Sequence, residues 1–408
     1  MPNAIPAPAN LAGRLPIRAA NTENYVFEIA TAISAGTGDN PTGNCGTPPV
    51  SGNLAVCRQT FPYGEFYAAT KEFNVSDGNL RRNITDMDRR LVNQPQIVTS
   101  DNPFVPMMPD GTLNINTILG KEYIEFGHFA ANAFTFVHIQ GLTTRNNTQT
   151  RRGFISEYAG LDAQIITGTV DSVSSTACAA ADAIVNTTGG ALDAARMGYI
   201  IDAYRGVQMR ASQAGMEGTQ WAFIAHPTMK DQLFDTWACN YATTKCDNDA
   251  GEFSLLDTAG MRDQMKAGNF LMIDGQRVPV IFDWGMALTI NASTNLHTSD
   301  IFLIPLSWGG RALTFLEYQP MDFGEIPSML ASVNSDVRVM NNGFYLMGLI
   351  RNDPFCFQHA FTGKFRLILE YRFLSARVDD ITYTPTVTYR TPDPAGAGYV
   401  GGGVTTRT

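Results

Sequence analysis

The side chains that could do chemistry are few and far apart. There are five histidines, His128, His138, His226, His297 and His359. His128 and His138 lie ten residues apart in one segment of helical pattern, too far to share a metal ion from one helix face. Each of the five reads as a structural histidine. The six cysteines, Cys45, Cys57, Cys178, Cys239, Cys246 and Cys356, form no Cys-x-x-Cys pair and no Cys/His group at zinc spacing. Cys45/Cys57 and Cys239/Cys246 each bracket a short loop, so either pair could close a disulfide in an oxidising medium where the geometry allows it. Free thiols are the expectation, because nothing marks the chain for secretion. Asp379 and Asp380 are neighbours in an extended segment and point apart. Asp86 and Asp88 beside Arg89 and Arg90 read as an ion-paired helix surface. The glycine-rich run from Gly36 to Gly43 lacks the lysine and the following helix of a phosphate cradle, and no nucleotide-binding, metalloprotease or serine-hydrolase motif occurs. No catalytic residue, cofactor-binding residue or metal ligand is assigned, and the chain is expected not to be an enzyme and to need no cofactor. The arginines cluster as Arg81-Arg82, Arg89-Arg90 and Arg151-Arg152, each pair a solvated helix face or an ion-pair partner between subunits. With Cys45, Cys57 and Arg58 they are the candidates for contact between subunits.

The elements carrying these residues follow from the spacing of apolar positions. Residues 1–24 are rich in Pro, Ala and Asn and read as an extended arm with no core of its own. Tyr25 to Ala35 reads as a strand, a run of turn formers follows, and Leu54 to Cys57 and Glu65 to Val75 read as strands, the last with strict alternation. Together they predict a long two-stranded projection over 25–75, barely stable alone in water. Asp77 to Asn93 reads as a helix capped by Asp77, with Leu80, Ile84, Met87 and Leu91 on one face. A long amphipathic helix is predicted over 114–140, with Gly141 just past its end. Ala191 to Ala214 reads as a second helix with the stripe Leu192, Ala195, Tyr199, Ala203 and Val207. Trp221 to Ala225 is then a buried strand, and His226-Pro227 opens a helix containing Met229, Leu233 and Trp237. Phe270 to Ile273 and Gln276 to Phe282 form a hairpin about Asp274-Gly275, and Ile301 to Leu306 and Leu313 to Tyr318 add strands. Lys364 to Arg377 shows the clearest alternation: Phe365, Leu367, Leu369, Tyr371 and Phe373 point one way, Lys364, Arg366, Glu370 and Arg372 the other. This strand is expected to line the face under the long helix. Residues 385–408 form a polar, glycine-rich tail.

Composition narrows the class. Charged residues are 16% of the chain and hydrophobic ones 44%, where a free monomer usually carries nearer a quarter charged. A chain that hides much of its surface against partners can do with fewer charges. The net charge of −9 argues against a sequence-specific DNA-binding protein. No run reaches the ~18 apolar residues of a membrane span, and the start of the sequence lacks the apolar core of a signal peptide. A soluble product made in the cytoplasm is expected.

The order of these parts resembles that of the major capsid proteins of tailed bacteriophages, the Hong Kong 97 fold, over Tyr25 to Tyr383. Residues 25–75 resemble the extended loop that reaches over a neighbouring subunit, and 114–140 the spine helix. ALDAARMGYIIDAYRGV followed by WAFIAHPTMKDQLFDTW is similar to the helix, strand, loop and helix of the axial domain, and Lys364 to Arg377 to the strand beneath the spine. The resemblance implies an α+β fold. Its parts are an N-terminal arm (1–24), an extended loop (25–75), a peripheral domain (76–190 and 322–384), an axial domain (191–321) and a C-terminal tail (385–408). The peripheral domain sets the long spine helix over an antiparallel sheet. The resemblance also implies self-assembly into hexamers and pentamers of an icosahedral shell around double-stranded DNA. Implied partners are a portal protein, a separate scaffolding protein, a decoration protein and packaged DNA in non-specific contact, with no membrane. The expected location is the virion capsid, with assembly in the host cytoplasm. An acidic wall suits that role, because strong attraction would trap the polymer. The chain departs from the family at the loop: Tyr25 to Thr70 has no lysine, so isopeptide crosslinking from the loop is not expected. The alternatives are an encapsulin-type compartment shell and, from another class, an enzyme without a recognisable motif.

Overall fold

The computed structural model describes residues 11–20, 26–33, 54–69, 73–74, 129–131, 133–142, 154–241, 263–291, 294–320, 338–339, 343–350 and 356–385. The helix expected at 77–93, the first part of the long helix (114–128), the hairpin tip (34–53) and most of the tail lie outside them.

Among the described residues the strands, numbered in chain order, form two large sheets and one isolated pair. The first sheet contains β1 (Ile17–Ala19), β4 (Gly64–Ala69), β5 (Phe73–Asn74), β6 (Phe154–Ser156), β15 (Thr314–Gln319), β16 (Arg338–Val339), β17 (Tyr345–Ile350) and β18 (Cys356–Leu369). β18 is its centre, antiparallel to β15, β17, β4 and β5. The second sheet contains β7 (Ile184–Asn186), β8 (Gly190–Ala191), β9 (Gln220–Ala225), β10 (Phe270–Ile273), β11 (Gln276–Phe282), β12 (Leu288–Asn291), β13 (Leu296–Trp308), β14 (Arg311–Ala312) and β19 (Ala376–Tyr383), in the order β10-β11-β9-β13-β19-β7 with β12 and β14 on β13 and β8 on β19. The isolated pair is β2 (Val26–Ile33) with β3 (Leu54–Thr60). The fold is thus α+β.

The helix described at 129–140 lies over the first sheet. Phe134 is its anchor, with ring centroids 5.4 Å from Phe66, 5.1 Å from Phe154, 5.5 Å from Phe344 and 4.9 Å from Phe365. The alternating strand therefore does run beneath this helix at Phe365. Its opposite face is covered at Arg366, while Lys364 is half-exposed. Arg366 is 1% exposed, bonded to Glu317 at 2.7 Å and stacked 4.2 Å from the Tyr63 ring. The reason is a second cover, in which Phe61 and Phe315 pack with Ile368 on that side.

Three expected boundaries are corrected. The alternating strand ends at Leu369, not Arg377: a 3-10 turn, Arg372–Leu374, carries the chain to the second sheet, where Phe373 and Leu374 join the other core. The alternation ran on because apolar residues are needed on both sides of the crossover. Next, β15, expected within 191–321, belongs to the first sheet, and β19, expected within 322–384, fills the edge of β13 in the second. Strand propensity marks strands but not the sheet they join. Finally, the segment 64–69 is no part of a projection, because β4 pairs along β18 within the same chain.

The second core is closed by two helices. Asp193 caps the helix Ala194–Gln213 by accepting from Arg196 N, and Gly215, at φ +68°, follows its end. The buried stripe is Met197, Ile200, Ala203, Tyr204, Val207 and Ala211; of the expected one, Leu192, Ala203 and Val207 are buried and Tyr199 packs against the core, while Ala195 is exposed. Met229, Leu233 and Trp237 are buried as expected, where a 3-10 turn after His226 leads into the helix Lys230–Tyr241. The β10–β11 hairpin turns at Asp274 and Gly275, both with positive φ. Where β11 ends, the backbone meets the helix above the first sheet. A Cβ on Gly285 would lie 2.3 Å from Thr135 O, and Gln140 Nε2 donates to Gly285 O at 2.5 Å.

Candidate assembly interface

Sequence reasoning placed function in the hairpin, and the described part of it is β2–β3, paired in register from Val26↔Thr60 to Ile33↔Leu54 with one irregularity at Ala30/Ala32. Among the described residues it pairs with neither sheet. Its inner end is fastened to the loop at 169–178. Arg58 N donates to Asp171 Oδ2 at 2.8 Å, Ser172 N donates to Arg58 O at 2.8 Å, Thr60 N donates to Ser172 Oγ at 3.0 Å, and Gln59 Nε2 donates to Val170 O at 3.2 Å. Asp171 Oδ1 accepts from Val173 N and Ser174 N at 2.8 and 2.7 Å. The amides of Ser174, Arg58 and Val173 hold its carboxyl well below the usual carboxylate range. Cys57 is buried in β3 and joined to Cys178, with Cα atoms 6.1 Å apart. Val170 and Val173 are exposed beside this junction.

This corrects the cysteine expectation. Cys57 pairs with Cys178, 121 residues on, and not with Cys45 across the loop tip. Bracketing a short loop is a cue of proximity in sequence, whereas the pairing follows from β3 lying against 169–178. Asp171 and Cys178 were missed, because the stretch DSVSSTAC from one to the other carries no apolar period. Of the other candidates, Arg58 sits at the junction through its backbone. Cys45, Arg81, Arg82, Arg89, Arg90, Arg151 and Arg152 lie outside the described residues.

Three of the histidines, His138, His226 and His297, are buried and make contacts through Nδ1. His138 Nδ1 bonds Tyr158 OH at 2.5 Å, and burial pushes its imidazole down to about 3. Burial, with His297 nearby, lowers His226 to about 3, and its Nδ1 accepts from Thr228 N to start the following turn. Thr228 Oγ1 bonds Tyr383 OH at 2.7 Å and reaches His297 Nδ1 at 3.4 Å, tying that turn to β19 and β13. His128 and the side chain of His359 lie outside the described residues. Among the described residues, no helix is long and apolar enough to cross a membrane.

No protein-family model matches the chain, and no curated protein matches it in sequence. Several solved structures are similar. The capsid of cyanophage A-1(L) is 14% identical, with 93% of this chain and 95% of that one covered at a TM-score of 0.49. The capsid of Ralstonia phage GP4 is 10% identical, covering 92% and 87% at 0.43. The SrpI encapsulin of Synechococcus elongatus PCC 7942 is 11% identical, covering 92% and 89% at 0.42. At these identities no residue role passes from those shells to this chain, which is similar to phage capsids and to an encapsulin alike.

Proposed function

We propose that the chain is a structural shell subunit, a major capsid protein of the Hong Kong 97 type that assembles as hexamers and pentamers into an icosahedral shell around the double-stranded DNA of a tailed phage. On this reading it is not an enzyme. Its partners are copies of itself, a portal protein, a separate scaffolding protein, a decoration protein and packaged DNA, and it passes from the host cytoplasm into the virion. The observation that carries the reading is the β2–β3 hairpin. Among the described residues its strands pair with each other and with neither sheet, and two strands alone are marginal in water. A surface on an adjacent copy would stabilise them. The low charge, 16% of residues, fits a molecule much of whose surface faces other copies. Many modest contacts of this kind close into rings where the rotation permits.

The test is electron microscopy and size exclusion of the purified chain, alone and with its scaffolding partner. Closed shells tens of nanometres across, with density for the hairpin lying on a neighbouring subunit, are expected. A compact monomer or small oligomer under all these conditions overturns the reading.

A further inference from the structure

The junction at the base of the hairpin is more than a hydrogen-bonded contact. Cys57, Asp171 and Cys178 bring one ligand atom each within 4.8 Å of one another. That cluster has two chemical uses, a metal site or a covalent bond. The carboxylate decides between them. Both Asp171 oxygens are engaged by backbone amides, Oδ2 by Arg58 and Oδ1 by Val173 and Ser174. A structural zinc takes four ligands, and here two sulfurs stand beside a carboxylate already occupied in shaping its own loop. The Cα separation of 6.1 Å is one a disulfide spans without backbone movement.

We propose that Cys57 and Cys178 form an oxidatively closed staple that fixes the hairpin to the body of its own subunit. In the reduced chain the hairpin base keeps its hydrogen bonds to 170–172 and the contact of β2 with Ala179–Ala181 but loses its covalent tie to the body. In the oxidised chain β3 is pinned to the body at Cys57. The oxidant is a small-molecule disulfide such as glutathione disulfide. One cysteine thiolate attacks it and expels a thiolate; the second cysteine then attacks the mixed disulfide and expels the other. Two protein thiols become one disulfide, the small disulfide becomes two thiols, and the two cysteine protons end on them. The staple thus does within one subunit what a lysine-free loop cannot do between subunits. It is read on the unassembled chain, so its failure leaves the shell reading standing.

The experiment uses the full chain carrying Cys45→Ser, which leaves Cys57 the only cysteine of tryptic peptide 19–58 and Cys178 the only one of 153–196. After reduction and exposure to glutathione disulfide, the two peptides should be recovered linked and should separate on reduction. Hydrogen exchange at 54–60 should be at least about tenfold slower in the oxidised than in the reduced chain, and Cys178→Ser should abolish that difference. Alkylation of both cysteines after oxidation overturns the staple. So does linkage without any change in exchange, which would make the bond incidental to the hairpin. Stoichiometric zinc bound by the reduced chain, protecting both thiols until a chelator is added, overturns it in favour of a metal site. The comparison of oxidised and reduced parent chains decides the matter even if the serine variant fails to fold.

Discussion

The N-terminal arm and the β2–β3 hairpin begin from the same position, since each is an extended segment that cannot bury enough of itself to stay ordered. They resolve it differently. The described part of the arm, 11–20, is held by its own subunit. Leu11 and Leu15 are buried in the core above the first sheet, Leu11 N donates to Asp283 Oδ2 at 2.8 Å, and β1 runs parallel to β15 from Ile17↔Leu316 to Ala19↔Tyr318. Among the described residues the hairpin is fastened by Cys57, the bonds to 170–172 and the contact of β2 with Ala179–Ala181, while β2 and β3 pair with no third strand. An extended segment rich in turn formers is not thereby a segment for neighbours. What decides is whether its own body offers an open strand edge and an apolar socket.

The largest effect should come from emptying the arm's socket. Leu11 is fully buried, so Leu11→Ala removes its transfer energy and leaves a cavity at about 2–5 kcal/mol. Urea denaturation of the unassembled subunit measures it. A loss near zero would mean that the arm, like the hairpin, is only loosely held by its own chain.

The burial of the arm was not legible in the sequence, for a physical reason. Leu11 and Leu15 are two leucines among prolines and alanines, without the repetition that betrays a buried face, and their partners lie hundreds of residues away. The same limit hid the crossover after Leu369, the burial of Arg366 against Glu317 and Tyr63, and the pairing of Cys57 with Cys178. Local signals fared better. Asp274-Gly275 fixed a hairpin because its turn needs positive φ at both residues. Asp193, Gly215 and the proline after His226 marked helix ends through the backbone groups that a helix leaves unpaired. In the candidate interface the hairpin strands were legible as Tyr25 to Ala35 and Leu54 to Cys57 on either side of a run of turn formers, while the clear alternation of Glu65 to Val75 belonged to strands of the first sheet. The fastening of the hairpin was not legible, because Asp171 acts through backbone amides that any residue types could supply.

A smaller effect, about 1–3 kcal/mol, is expected where the arm meets Asp283. Burial raises that carboxyl from 3.8 to about 6, although the amides of Gly285 and Leu11 pull it back. The folded state therefore keeps a proton that the unfolded chain releases between about pH 4 and pH 6. The stability this group contributes is complete below that window and is lost as pH rises through it. Asp283→Asn cannot titrate, so the difference in unfolding free energy between parent and variant should shift in the variant's favour as pH rises across the window. Urea midpoints on either side of it measure the shift. A pH-independent difference would mean that Asp283 is ionised throughout and that the arm's tether is not proton-linked.

The smallest effect on stability should come from the hairpin tip, and there the comparison is sharpest. Deleting 38–53 leaves four residues, Ser34 to Thr37, between Ile33 and Leu54, the partners that end the β2–β3 register. Four residues is an ordinary hairpin connection. Shortening the loop lowers its closure entropy, so the isolated subunit should change by only about 1 kcal/mol. Cys57, Arg58 and the bonds to 170–172 all lie on the retained side. Assembly should respond in the opposite sense, with the shortened chain folding normally and forming few or no closed shells in the microscope. If the shortened subunit melts far below the parent, the tip belongs to its own body as the arm does, and the contrast between the two segments disappears. If it assembles normally, the hairpin does not reach a neighbour through its tip, and the surface that satisfies β2 and β3 must lie along the strands themselves.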